Sequence, residues 1–169
     1  MVGRPSDIKG YDFAIEACSK LKKDGEKVKF YSIGTSNDVD KFKKLVTDLD
    51  IEKEFIFIGE TDNPYKFVKK ADIYVHPSRF EGKSVAIDEA KILCKPIVIT
   101  NFTTAKDHIN NEVNGLIVGM NSEEVYKGIK ILIKNTSLQE KFKENLSKEN
   151  LGNESEVYKL YDLIEQVKV

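Results

Sequence analysis

Tryptophan is absent from this 169-residue chain, and cysteine, histidine and proline are scarce at two, two and four residues. Each scarcity excludes something. Cys18 and Cys94 share no metal-ligand or redox spacing and both fall in apolar helical patterns, which reads as two reduced, buried thiols. His76 and His108 have no ligand-spaced partners, which removes the common zinc sites. No apolar run approaches the roughly 20 residues that span a bilayer, and no signal-peptide pattern opens the chain, so a cytoplasmic location is expected. An excess of one charge is also missing: 27 Lys and Arg against 28 Asp and Glu give a net charge of −1. That balance argues against a nucleic-acid partner held mainly by phosphate contacts. Clusters such as Lys22-Lys23, Lys43-Lys44 and Lys69-Lys70 read as solvated helix faces. The Walker and dinucleotide glycine patterns are lacking too, which disfavours an ATPase or a dehydrogenase. Asn-x-Ser/Thr triplets at Asn101, Asn135, Asn145 and Asn153 read as chance in an Asn- and Lys-rich chain.

What is present is enough for one domain over residues 1–169, with 40% hydrophobic and 33% charged residues and a single core. Tyr11, Ala14, Ile15, Cys18 and Leu21 recur at helical spacing until Asp24-Gly25 stops them. Val39, Phe42, Leu45, Val46 and Leu49 mark a second helix. Further helices are predicted over 65–70, 84–93, 123–134, 138–147 and 155–167, with Ser137 and Glu140 at capping-box spacing. Short β-rich runs predict strands at 28–33, 55–58, 73–75, 96–100 and 116–118. Alternating strands and helices predict an α/β fold: a Rossmann-like parallel sheet with helices on both faces. Val2-Gly3-Arg4 reads as the end of a strand whose beginning is missing, which predicts a chain cut from a longer protein.

An open α/β sheet binds ligand beyond the carboxyl ends of its strands. Four segments fall there: residues 3–10, 33–36, 58–61 and 76–84. Arg4 and Lys9 flank a turn into the first helix and could grip a diphosphate from two sides. Gly82, Lys83 and Ser84 run into a helix N-terminus, where free N–H groups and the helix dipole favour an anion. Glu81 lies just before that helix and Glu89 within it. A carboxylate accepts two vicinal hydroxyls well, so sugars and riboses suit both. Taken singly, each feature is equally at home on an ordinary protein surface.

Together, and in order, they match a pattern. Val2-Gly3-Arg4 with Lys9-Gly10, Phe57-Ile58-Gly59, Ala71-Asp72, Pro77-Ser78, Glu81-Gly82, Glu89-Ala90, Pro96-Ile97-Val98 and Asn114-Gly115-Leu116 resemble the C-terminal domain of retaining glycosyltransferases of family 4, or group 1. Those enzymes have the two-domain GT-B fold. The stretch from Glu81 to Lys91 resembles the version found in transferases that build bacterial surface polysaccharides. The resemblance implies transfer of a hexosyl unit to a glycan or lipid-linked acceptor, within a full-length enzyme. The chain would be its nucleotide-sugar-binding domain, inactive alone and completed by an N-terminal acceptor domain.

By the same resemblance Arg4, Lys9 and Glu81 carry the catalytic assignments. Arg4 and Lys9 hold the diphosphate and stabilise the leaving group, and Glu81 contacts hydroxyls of the transferred sugar. Glu89 takes the ribose. Gly3, Gly34, Gly59, Glu60, Thr61, Gly82, Lys83 and Ser84 complete the site, with the base near Glu60 and Thr61. Lys83 departs from the usual family residue; its side chain either reaches the phosphates or points to water. No tightly bound cofactor or metal is implied. Asp38-Val39-Asp40 matches a metal-binding pattern of the other major glycosyltransferase fold, but it opens a helix, where acids suit the dipole. A nucleotide-diphospho-sugar, UDP-linked in preference, is the implied substrate, with peripheral association at the inner membrane face left open for the whole enzyme. Two alternatives stand beside this: a stand-alone nucleotide-binding or regulatory module, and a receiver-like signalling domain, which would need an acidic pocket where Arg4 and Lys9 lie.

Overall fold

The computed structural model describes residues 1–149, so the helix predicted over 155–167 lies outside the described residues. The described elements are α1 (Tyr11–Lys23), β1 (Phe30–Ile33), α2 (Val39–Asp48), β2 (Phe55–Gly59), α3 (Tyr65–Lys70) and β3 (Tyr74–His76), then α4 (Val85–Ile92), β4 (Ile97–Thr100), α5 (Ala105–His108), β5 (Leu116–Val118), α6 (Ser122–Lys134) and α7 (Thr136–Ser147). Every strand pairing is parallel, and the chain is an α/β protein with helices around its sheets.

The period-2 alternation of strand side chains separates two core layers. Val75 and Val98 face a layer built with α1, α2 and α6, whereas Tyr74, Ile97 and Ile99 face Val68, Ile87, Ala90, Phe102 and Ala105 on the other side. Helices therefore cover both faces, as the runs of Val and Ile predict. β1 pairs with β2, and β3–β4–β5 form a separate group. Among the described residues β1 and β3 share no ladder. Along the open edge of β1, Gly3 N donates to Ile33 O at 2.9 Å, Ile33 N to Met1 O at 3.1 Å and Met1 N to Tyr31 O at 3.0 Å. Val2 bridges Ile33 in parallel, consistent with a strand end.

Two local expectations need correcting, and two features were not foreseen. Asn135, not Ser137, caps α7 by accepting from Leu138 N, because its carboxamide reaches a first-turn amide two residues earlier than the Ser-x-x-Glu spacing proposes. Asn121 likewise caps α6 through Glu124 N. The one-turn α5 was not predicted, since four residues are too few to show a period. Cys18 is buried in α1, but Cys94 is half-buried in a left-handed turn just past α4.

Candidate functional site

The ligand edge is assembled by two close backbone approaches that only glycine permits. Gly10 caps α1 at φ +65°, and a Cβ there would sit 1.9 Å from Pro77 O, so the Lys9 turn lies directly on the loop after β3. Gly34, at φ +121°, would place a Cβ 2.5 Å from Gly3 O, which brings the ends of β1 and of the first segment together. Tyr11 fixes that segment from below, its hydroxyl donating to Gly3 O at 2.8 Å while accepting from Ser32 at 3.0 Å.

A cavity of about 660 Å³ opens over this junction. Its lining includes Gly3, Arg4, Gly34, Thr35, Glu60 and Thr61, so five residues predicted for the nucleotide side meet in one place. Arg4 and Glu60 are exposed, and Thr61 is half-buried. Gly59 lies below the rim, its carbonyl accepting from Gly34 N at 2.8 Å.

Glu81 stands apart from that cavity in chemistry. It is 8% exposed, and one oxygen, Oε1, receives three donors: Lys9 Nζ at 2.7 Å, His76 Nε2 at 2.6 Å and Ser78 Oγ at 2.7 Å. Oε2 has no donor among the described residues. Burial by itself would raise the Glu81 carboxyl, but the bonds from His76, Lys9 and Ser78 outweigh it and hold the pKa at about 2. Burial pushes His76 below its ordinary value despite the pull of Glu81, so the ring is neutral and its Nε2 carries the proton. An ammonium has three donors, and Lys9 spends one on Glu81.

Sequence reasoning missed the clasp that holds Lys9 in place. Arg79 forms a bidentate pair with Asp12 at 2.7 and 2.6 Å, and its guanidinium lies 3.8 Å from the centre of the Phe13 ring. It also donates to Asp7 O at 2.5 Å, and its backbone amide donates to Ile8 O at 2.7 Å. Arg79, in the loop between β3 and α4, has no periodic signature, so only the fold reveals its role. Thr100 Oγ1 donates to Ser78 O, and Thr104 Oγ1 lies 2.9 Å from Glu81 O and 3.0 Å from Gly82 O. His108 Nε2 lies 3.1 Å from Gly82 O and 3.5 Å from Ser84 N, between the carbonyl and the amide that lead into α4.

Lys83 is exposed and Ser84 buried, at the start of α4. Glu89, one turn along α4, accepts from the exposed Tyr65 hydroxyl at 2.7 Å. Tyr65 was expected only as the first residue of a helix. Asp40 pairs with Lys43 at 3.4 Å, and among the described residues no group of three acidic, His or Cys side chains could hold a metal ion. No described helix is long and apolar enough to cross a membrane.

A glycine-bounded cavity lined by Arg4, Glu60 and Asp62, and a fixed carboxylate on the loop after β3, both stand at the carboxyl ends of parallel strands, where an α/β sheet takes its ligand. The model of the family "Glycosyl transferases group 1" matches residues 1–149, and the chain belongs to that family. It is 30% identical over 155 residues, 89% of its own length, to an uncharacterized glycosyltransferase of Haemophilus influenzae, of which it covers 44%. It is 26% identical over 144 residues to a Campylobacter jejuni N-acetylgalactosamine-N,N'-diacetylbacillosaminyl-diphospho-undecaprenol 4-alpha-N-acetylgalactosaminyltransferase, covering 84% of this chain and 39% of the relative. Among solved structures, a TarM mutant from S. aureus in complex with Fondaparinux, alpha-GlcNAc-glycerol and UDP superimposes with a TM-score of 0.83 at 28% identity. That match covers 96% of this chain and 34% of the other. The chain thus spans under half the length of the curated relatives it matches.

Proposed function

We propose that the chain is the nucleotide-sugar-binding, C-terminal half of a retaining family 4 glycosyltransferase that moves a hexosyl unit from a UDP-sugar to a glycan or lipid-linked acceptor. The observation that carries this reading is Glu81, with Oε1 fixed by three internal donors and Oε2 left without a donor among the described residues. A carboxylate so held presents one acceptor at a set angle, which suits a sugar hydroxyl. Its low pKa makes it a poor proton acceptor at neutral pH, so it binds and orients and is not a general base. Arg4 and the two uncommitted protons of Lys9 meet the diphosphate, and Glu89, steadied by Tyr65, takes the ribose.

UDP in the TarM complex supports the nucleotide, and the lipid-linked sugar acceptor in the C. jejuni relative's name supports the acceptor class. The donor sugar binds weakly to this half, and transfer waits for an acceptor domain. Titration with UDP, UDP-glucose and GDP-mannose, followed by amide shifts, tests the site. Shifts at Arg4, Lys9, Glu81 and Glu89 with the UDP compounds are expected; their absence with all three ligands overturns the assignment.

A further inference from the structure

In the proposed function Lys9 faces two acceptors at once: the Glu81 carboxylate, which its ammonium meets at 2.7 Å, and the diphosphate of an arriving donor. The diphosphate carries more charge, and the half-buried lysine stem is flexible. A single ion pair to Glu81 is too weak to keep the ammonium from leaving for the phosphates. What limits its travel is the root of the side chain, so the backbone around Lys9 decides whether Glu81 keeps its donor.

Arg79 grips the chain on both sides of that root. The two carbonyls before Lys9 accept from it, Asp7 O from Nη1 at 2.5 Å and Ile8 O from the backbone amide at 2.7 Å. After Lys9, Asp12 in the first turn of α1 takes the fork of the same guanidinium at 2.7 and 2.6 Å. The loop that carries Arg79 also carries Ser78 and Glu81, so the root of Lys9 and its carboxylate partner belong to one frame. Burial alone would raise the Asp12 carboxyl, but the bond and charge of Arg79 outweigh it and hold it below its ordinary value, so the pair is charged on both sides. The guanidinium is thereby neutralised inside the fold, against a carboxylate in its plane and the Phe13 ring at 3.8 Å. That suits a strut better than a phosphate ligand. A lysine at this position could supply the charge but not two parallel bonds and a third to a carbonyl.

We propose that Arg79, locked to Asp12, is a positioning residue that keeps Lys9 shared between Glu81 and the diphosphate of a bound donor, so that the grip on the transferred sugar survives the arrival of the nucleotide. The inference rests on the reading of Lys9 as a diphosphate ligand. It predicts a division of labour: loss of the Arg79–Asp12 pair frees the ammonium for the phosphates and strips Glu81 of one donor, which harms the hold on the sugar and spares the hold on the nucleotide.

The test follows the NMR resonance of the Glu81 side-chain carboxyl carbon at pH 7 in the full chain, with Lys9→Met marking where it lies once the ammonium donor is gone. In the unchanged chain, saturating UDP should leave the resonance near its unliganded place. In Arg79→Met and in the milder Asp12→Asn, UDP should move it toward the Lys9→Met position. By calorimetry, UDP affinity should hold or rise in both variants while UDP-glucose affinity falls about tenfold, and Arg79→Lys should recover part of that loss. A resonance that stays in place with UDP bound to both variants overturns the inference. So do equal losses of UDP and UDP-glucose affinity, because a residue that only stabilises the fold weakens both ligands alike. Absence of any UDP-induced amide shift at Arg4 in the unchanged chain sinks the functional reading and this inference with it, whereas shifts at Arg4 together with either of the adverse outcomes sink the inference alone.

Discussion

The two halves of the ligand edge are built in opposite ways. Around Glu81 the frame is braced: Lys9, His76 and Ser78 grip one oxygen, Arg79 clasps the loop that carries Lys9, and Thr104 and His108 meet the backbone behind it. Around Arg4, Glu60 and Thr61 the cavity is shaped by glycine and backbone, and side chains reach into solvent. The braced half can fix one hydroxyl at a set distance, which is what stabilisation of a reacting sugar requires. The open half can accept a flexible diphosphate, whose charge tolerates small displacements. Stability and binding should therefore respond differently to changes in each.

The largest effect is expected from Gly10→Ala. A methyl group 1.9 Å from Pro77 O, on a left-handed backbone, must force α1 off the loop after β3. Loss of about 3 kcal/mol or more is expected by urea denaturation. Gly82→Ala, with nothing within 4 Å of its Cβ position, should stay within about 0.5 kcal/mol; similar losses in both would dissolve the distinction between packed and open loops.

Glu81→Gln removes the charge that three donors converge on. Calorimetry should show UDP-sugar affinity falling by about 2 kcal/mol, roughly thirtyfold, with UDP affinity nearly unchanged. An equal loss for both ligands would place Glu81 at the nucleotide instead. Arg4→Ala should do the reverse. Exposed and screened, it should cost about 1 kcal/mol for UDP and UDP-sugar alike, less at high salt, with the melting point unmoved.

The smallest effect is in pH. Burial lowers the folded-state pKa of His76. Below the ordinary value of about 6.5 the unfolded chain takes up this proton and the folded chain resists it, so stability falls as the pH drops. Glu81 adds a second loss further down, as pH falls from its ordinary range toward about 2. Denaturation at pH 7.5, 5.5 and 4.5 should show a progressive decline that His76→Gln flattens in the upper part of the range.

Much of this architecture was legible in advance. Helical spacing from Tyr11 to Leu21 and the β-rich runs at 28–33 and 96–100 encode local geometry that any burial of their apolar faces must respect. Gly34 and Gly59 after strands placed the ligand edge. The clasp was not legible, because Arg79 and Asp12 are 67 positions apart and nothing local relates them. Nor was α5, whose Thr104 and His108 matter only through their reach to Glu81 and Gly82.

Glu81 marks the division between the two sources of knowledge. The sequence by itself determined that a carboxylate stands at a strand-to-helix switch, eight residues before a second one, because chain order and period suffice for that. The tertiary structure alone decided its state: ionised, with Oε1 taken and Oε2 open. Lys9 comes from 72 residues away, and burial, which sets the balance between desolvation and hydrogen bonding, exists only once the layers have packed.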